Sequence, residues 1–262
     1  MPVIIDGTNG VSTPNTFAFK NRIIDGGFTI NQRGYTSGTS LSSGSYGHDR
    51  WKGGASGGTY TFTQGSTGVN TTITITAGSI IQVIEGANLP AGGTYVLSWT
   101  GTAQGKIGAG SFGASGITGT ITAGTNTNIE FNTGTCGNVQ LEVGSTATSF
   151  DYRPYGTELA LCQRYYYQLS NTSVGVAASY SSGNNFVLYK NPVSMRTSAT
   201  VSDNSASGIL AGAASTPSWS TVTLGSYPST EVTPMTFDGS TTSGYSYDAR
   251  LTSGSIGVSA EL

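Results

Sequence analysis

Charge is scarce in this sequence: Asp, Glu, Lys and Arg supply 9% of its 262 residues and leave a formal net charge of −2. Charge so thinly spread forms no basic stripe for a phosphate backbone and no polybasic arm for an anionic membrane, so nucleic acid is not an expected partner. Histidine occurs once, at His48, so any Ser-His-Asp triad or His-based metal site must use it. It lies in Gly47-His-Asp-Arg-Trp51 and reads as a polar residue at a strand start, because no Gly-x-Ser-x-Gly elbow sits on a strand-to-helix turn. Cysteine occurs twice, at Cys136 and Cys162, which is too few for a disulfide scaffold and lacks metal-ligand spacing. Both read as small buried hydrophobes. There is no Asp-x-Asp-x-Asp-Gly loop, and neither a metal nor a cofactor is expected. No apolar run approaches the roughly 18 to 20 residues that span a bilayer, and the first residues carry neither a basic n-region nor an apolar h-region. The expectation is synthesis in the cytoplasm without a Sec signal, and no membrane insertion.

What the chain does have is Gly, Ser and Thr in abundance, together with 14 Tyr, 9 Phe and 3 Trp. Low charge accompanies disorder only when aromatic and β-branched residues are scarce too, so an ordered all-β protein is expected. Residues 1–20 read as an extended attachment arm: Val3, Ile4 and Ile5 are apolar, while Gly7, Gly10 and Pro14 prevent a helix. Residues 21–153 read as a jelly-roll β-sandwich. Thr59-Tyr-Thr-Phe-Thr, Thr72-Ile-Thr-Ile-Thr, Ile80 to Ile84, Thr94 to Trp99 and Val139 to Val143 carry the strand signal, with turns between them at Ala77-Gly78, Pro90 to Gly93, Ala123 to Asn126 and Thr133-Gly134. Residues 154–170 read as one short linking helix, running from Thr157 to Leu169, in which Thr157 caps and Glu158 faces the positive end. Leu159, Cys162, Tyr166 and Leu169 share one face by spacing, and Leu161 with Tyr165 adds a second stripe. Two readings of that girth stay open: burial between the β domains of one chain, or packing against copies of itself around a symmetry axis. Residues 171–262 read as a second, C-terminal β domain.

Candidate chemistry is thin. Asp25, Glu85, Glu130, Glu142 and Asp151 sit singly on strand or turn patterns, and sequence cannot show whether any two face one another across a glycosidic bond. Binding is better supported, since aromatic side chains outside a periodic core are the natural platform for sugar rings. Trp219, Tyr227, Tyr245 and Tyr247 are the candidates, Trp219 being readable as core or surface. Trp51 and Trp99 read as core.

Asn138 to Gln168, NVQLEVGSTATSFDYRPYGTELALCQRYYYQ, resembles a segment shared by a family of bacteriophage virion proteins, described as tail-fibre, tail or structural proteins. In that family a Gln-Leu-Glu strand runs into Arg-Pro and then Glu-Leu-x-x-Cys-Gln-Arg-Tyr-Tyr. Asn21 to Gly34, the Asp-Arg-Trp at residues 49–51, Ile81 to Glu85, Thr94 to Thr100, Pro192 to Arg196 and Ser259 to Leu262 are similar to further pieces in the same order. The resemblance implies a carbohydrate-binding-module-like jelly roll, the helix and a C-terminal β domain, in a virion protein that forms trimers. An arm of about 20 residues with no long shaft points away from a long fibre. It points to a compact tail appendage that binds host-surface glycans without enzymatic activity, or alternatively to a capsid decoration (cement) protein. A third reading, a polysaccharide depolymerase, is weakened because phage depolymerases are usually much longer and built on β-helices. The expected partners are the chain itself as a homotrimer with Leu159, Leu161, Tyr165 and Tyr166 near the interface, other tail or capsid proteins through the arm, and a host glycan.

Overall fold

With glycine at 39 positions and β-branched or aromatic residues between them, this chain has turns and pleated segments available almost everywhere. The computed structural model describes residues 4–6, 10–12, 19–170, 172–181, 184–212, 216–226, 228–241 and 245–262. The chain divides between Glu158 and Leu159 into two compact units, each with its own hydrophobic core. The architecture is the all-β class read from the sequence: two curled β units and one short linking helix.

At the start of the first unit, β1 (Ile4–Asp6) and β2 (Gly10–Ser12) pair antiparallel as a separate sheet, Ile4 opposite Ser12. The expected extended arm is therefore doubled back into a hairpin. Val3 lies outside the described residues, as do the side chains of Ile4 and Ile5.

The main sheet of the first unit holds β3 (Ser40–Leu41), β4 (Lys52–Thr61), β5 (Ile73–Ile84), β6 (Gly93–Thr100), β7 (Gly105–Ile107), β8 (Ile117–Ile121), β9 (Thr127–Phe131) and β10 (Gly134–Val143). Their order is β3-β4-β5-β10-β6-β8, with β9 pairing both β5 and β7. The sheet curls because two strands change partner along their length. Residues 73–75 of β5 pair with β10, whereas residues 80–84 pair with β9. In β10, residues 134–136 pair with β5, and Gly137 and residues 140–143 with β6. The switch in β10 falls at a bulge between Gly137 and Gln140, where Asn138 adopts a left-handed φ of 49°. Bulges bend a strand and strengthen its local twist, which brings the two halves of the sheet around one core. Trp51, Tyr60, Tyr95, Leu97, Ile129, Phe131, Val139 and Leu141 are all buried there. Ala77-Gly78, predicted as a turn, instead lies within the continuous strand β5. Gly78 takes φ 64°, and the inward set shifts from Ile73 and Ile75 to Ile80, Gln82 and Ile84. An inserted residue explains that change of parity.

Helix α1 (Tyr155–Gln163) begins where Pro154 accepts the Thr157 and Glu158 N–H groups at 2.9 and 3.1 Å, and Glu158 lies in its first turn. It is shorter than the predicted Thr157–Leu169. Tyr165 N–H turns onto Cys162 at 2.9 Å, and Tyr166 to Leu169 then run as a strand.

In the second unit β11 (Tyr166–Leu169), β12 (Ser173–Ser181), β13 (Asn184–Lys190), β14 (Thr200–Ala211), β15 (Ser218–Trp219), β16 (Val222–Leu224), β17 (Val232–Phe237) and β18 (Ser246–Ser259) are ordered β15-β14-β18-β12-β13-β17-β16. Strand β11 also pairs with β18. The ends of this sheet curl towards each other, with Val222 N–H donating to the Asp203 carboxylate at 3.1 Å.

Candidate functional site

The polar motif residues of the first unit act mainly as clamps. Segment 21–28 runs beside β10, with Arg22 N–H donating to Leu141 O and Val139 N–H to Gly26 O, each at 2.8 Å. Asn21 fastens it further: its Oδ1 accepts from Ile23 and Leu141, and its Nδ2 donates to Val139 O at 3.0 Å. A Cβ on Gly26 would sit 2.2 Å from Val139 O, so only glycine permits this approach. Gln82, fully buried, grips Ile24 from the other side, accepting its N–H at 2.8 Å and donating to its carbonyl at 2.7 Å. Arg153 donates to the carbonyls of Asn21 and Ile23 and to both oxygens of Glu158, and Glu158 in turn accepts the Asp25 N–H at 2.6 Å.

Asp25 and His48 are two of the buried titratable groups on which catalysis could draw, and both serve the scaffold. Asp25 Oδ1 accepts from the N–H groups of Thr29 and Ile30, while its carbonyl accepts the Trp51 indole at 2.9 Å. Burial, reinforced by the charges of Asp49 and Glu158, pushes its carboxyl well above the usual range. The contribution of Asp25 to stability is therefore greatest below the carboxylate's ordinary range and falls as pH rises towards its folded value. His48 stands among Phe28, Tyr35, Tyr60 and Phe62, with ring centroids 4.5–6.4 Å away. Its backbone N–H donates to Tyr60 Oη at 2.8 Å, that hydroxyl reaches Nδ1 at 2.9 Å, and Nε2 reaches Gln64 Oε1 at 3.0 Å. The chain of donors assigns the proton to Nε2. The expected strand-start residue is thus wholly buried, and desolvation lowers its pKa to about 4. Because the folded value lies below the unfolded 6.5, the stabilisation is full above pH 6.5 and is lost as pH falls towards 4, a total of about 3 kcal/mol. Urea midpoints at stepped pH should show this slope in the wild type and a shallower one in His48→Gln; equal slopes would rule His48 out as its source.

Glu130 and Glu142, also flagged in the sequence, are held in place as well. Glu130 bonds Ser79 at 2.6 Å and Lys106 at 2.8 Å. Glu142 and Gln140 point away from the core and pin the loop that follows β10. Glu142 accepts from Thr148 N–H and Oγ1 at 2.8 and 2.7 Å, and Gln140 accepts the Asp151 N–H at 2.8 Å. This loop carries Phe150 and Tyr152, whose rings meet edge to face at 4.9 Å, with Tyr152 69% exposed. Phe150 walls two hollows. One, of about 170 Å³, is lined by Ser98, Trp99, Thr100, Asn138, Thr148 and Phe150. The other, of about 20 Å³, includes Asn70, Arg153 and Tyr155. Asn70 Nδ2 donates to Asn138 Oδ1 at 2.5 Å, joining the two linings. Phe19, beside the Arg153 guanidinium, and Tyr155 are also exposed, so three of the exposed aromatics of the first unit gather here.

The aromatic platform predicted for the second unit is largely interior. Trp219 and Tyr247 are each 2% exposed, and Trp219 packs edge-on against Phe237 at 4.7 Å. Its register partner, Gly208, has no side chain to displace the indole. Tyr245 alone is on the surface, and Tyr227 lies outside the described residues. Of the predicted interface residues, Leu159 and Leu161 are half-buried, but Tyr165 and Tyr166 are buried within the chain. The Tyr165 carbonyl accepts the Ala260 N–H and Tyr166 pairs with Ser259, which commits both residues to the second sheet. Cys136 and Cys162 are free and buried, as expected, and burial raises the Cys136 thiol's pKa. No group of three or more possible metal ligands occurs among the described residues, and none of their helices is long and apolar enough to cross a membrane. No known protein family model matches the chain, and no curated protein matches it.

Proposed function

We propose that the chain is a non-enzymatic bacteriophage virion protein, a compact tail appendage that attaches through its N-terminal arm, assembles as a homotrimer and binds host-surface glycans. The observation that carries this reading is the aromatic group on the first unit, exposed Phe19, Tyr152 and Tyr155 with half-buried Phe150, set beside Asn- and Thr-lined hollows. Sugar rings stack on aromatic faces and hydrogen-bond through their hydroxyls, and this surface offers both kinds of contact. The virion assignment rests on the ordered motifs of the sequence, whose polar members form the clamps that hold the aromatic loop. The arm fits attachment because an isolated two-stranded hairpin is marginal in water and gains stability by docking on a partner. Self-association has a surface too: Leu159 and Leu161 are half-buried, and Val176 and Leu188 stand exposed on the neighbouring strands β12 and β13.

Cryo-EM of virions carrying the chain tests the assignment. Density at the tail in three-fold groups is the expected result. Density spread over the icosahedral shell in hundreds of copies would replace it with a capsid decoration protein.

A further inference from the structure

The bulge in β10 costs the chain strain at a residue that the fold could have made glycine. Asn138 holds φ 49° where β10 leaves β5 for β6, a backbone region that favours glycine, although asparagine tolerates it better than most residues. Bulges re-aim side chains, and strained positions that persist cluster at binding sites. Here the re-aimed amide lines the hollow of about 170 Å³, and its orientation is fixed by the Asn70 donor on Oδ1. Among the described residues the Asn138 amide nitrogen and the Ser98 hydroxyl, both lining this hollow, meet no protein partner. The remaining walls are the Thr100 and Thr148 hydroxyls, Trp99 and the Phe150 ring. The Thr100 and Thr148 oxygens are already engaged, on Gly137 O and on Glu142.

We infer that this hollow is a subsite for one uncharged pyranose ring of a glycan, with Asn138 and Ser98 bonding its hydroxyls and Phe150, extended by Tyr152, bordering its apolar face. The inference rests on the glycan-binding reading above and gives it a location and a ligand class. Size and charge decide the class. The hollow is smaller than the roughly 300–1,000 Å³ of drug-sized sites, and none of its six lining residues is charged. The cation at its rim is already engaged: Lys20 donates to Thr148 Oγ1, which in turn donates to the Glu142 carboxylate, so an acidic sugar would meet a carboxylate beside that ammonium. Arg153, which lines the other hollow walled by Phe150, is bound to Glu158 and to two backbone carbonyls.

The test uses the full chain on an array of immobilised neutral and sialylated oligosaccharides, followed by titration of the best binder. Wild-type protein should bind uncharged members, and Asn138→Gly and Tyr152→Ala should each weaken that binding by about tenfold or more. Tyr245→Ala, in the second unit, should leave it unchanged. Asn138→Gly also separates binding from folding: glycine adopts this φ freely, so the variant should melt at or above the wild-type temperature while losing affinity. Binding confined to sialylated members overturns the inference. Undiminished binding by both Asn138→Gly and Tyr152→Ala overturns the location alone and leaves the glycan reading standing. A wild type that binds nothing on the array overturns both.

Discussion

Replacing Arg153 by Met should cost the first unit about 3–5 kcal/mol, the range for breaking a buried ion pair from one side. Methionine fills much of the same space, so the loss would come from the groups left behind. The Glu158 carboxylate would lose a cation contacted at 3.1 and 3.2 Å, and the Asn21 and Ile23 carbonyls would lose their guanidinium donor. Solvent cannot easily replace these contacts, because the Arg153 and Glu158 side chains are 6% and 13% exposed. Glu158→Gln should be milder, since glutamine still offers an oxygen to Arg153 and to the Asp25 N–H. The double variant should cost less than the sum of the singles, as expected of residues sharing one network. Urea unfolding of the four proteins measures this, and a loss below about 1 kcal/mol for Arg153→Met would contradict the clamp.

Trp219→Ala should be comparably damaging, about 3–5 kcal/mol, and its effect should fall on the second unit. The indole fills the space over Gly208 and packs against Phe237, so truncation opens a cavity in a core that Leu210, Met235 and Tyr247 share. Since the first unit has a separate core with Trp51 and Trp99, its fluorescence transition should persist while the second unit unfolds earlier. Normal melting combined with weakened glycan binding would instead favour the surface reading that its sequence context left open beside the core one.

That context shows where sequence reading works and where it stops. The strands of the first unit are legible because Ile73, Ile75, Tyr95, Leu97 and Trp99 recur with period 2 against one core. The helix is legible from Glu158 and the run that follows it, but its start is not: it begins at Tyr155, and Thr157, expected to cap, lies inside the first turn. Nor is its end legible: Cys162, Tyr166 and Leu169 keep helical spacing by coincidence, while Tyr166 to Leu169 are drawn into register with residues 256–259, a long-range pairing that no local window contains. Trp219 sits in a Thr-Pro-Ser-Trp-Ser stretch that reads as a loop, and its burial depends on the missing side chain of Gly208 on another strand. The hollow at Asn138 left a faint signal. Gly137-Asn138 interrupts the alternation of strand β10, and a glycine inside a strand pattern marks a bulge. The sequence could not show that Phe150, twelve residues on, folds back over it, because the clamps from Gln140 and Glu142 are tertiary.

Strand β18 has a consequence for how the second unit comes into being. One edge of β18 carries β11 and β12 in succession and the other carries β14 along nearly its whole length, so a single 14-residue segment joins the two sides of that sheet. Residues 166–169 wait for partners about ninety positions further along, as Tyr166 pairs with Ser259. Such distant closures are slow because the entropy of the intervening chain is lost before the contacts repay it. On the ribosome, β11, β12 and β14 emerge as unpaired edges, and they remain exposed to neighbouring chains until residues 246–259 arrive to close them.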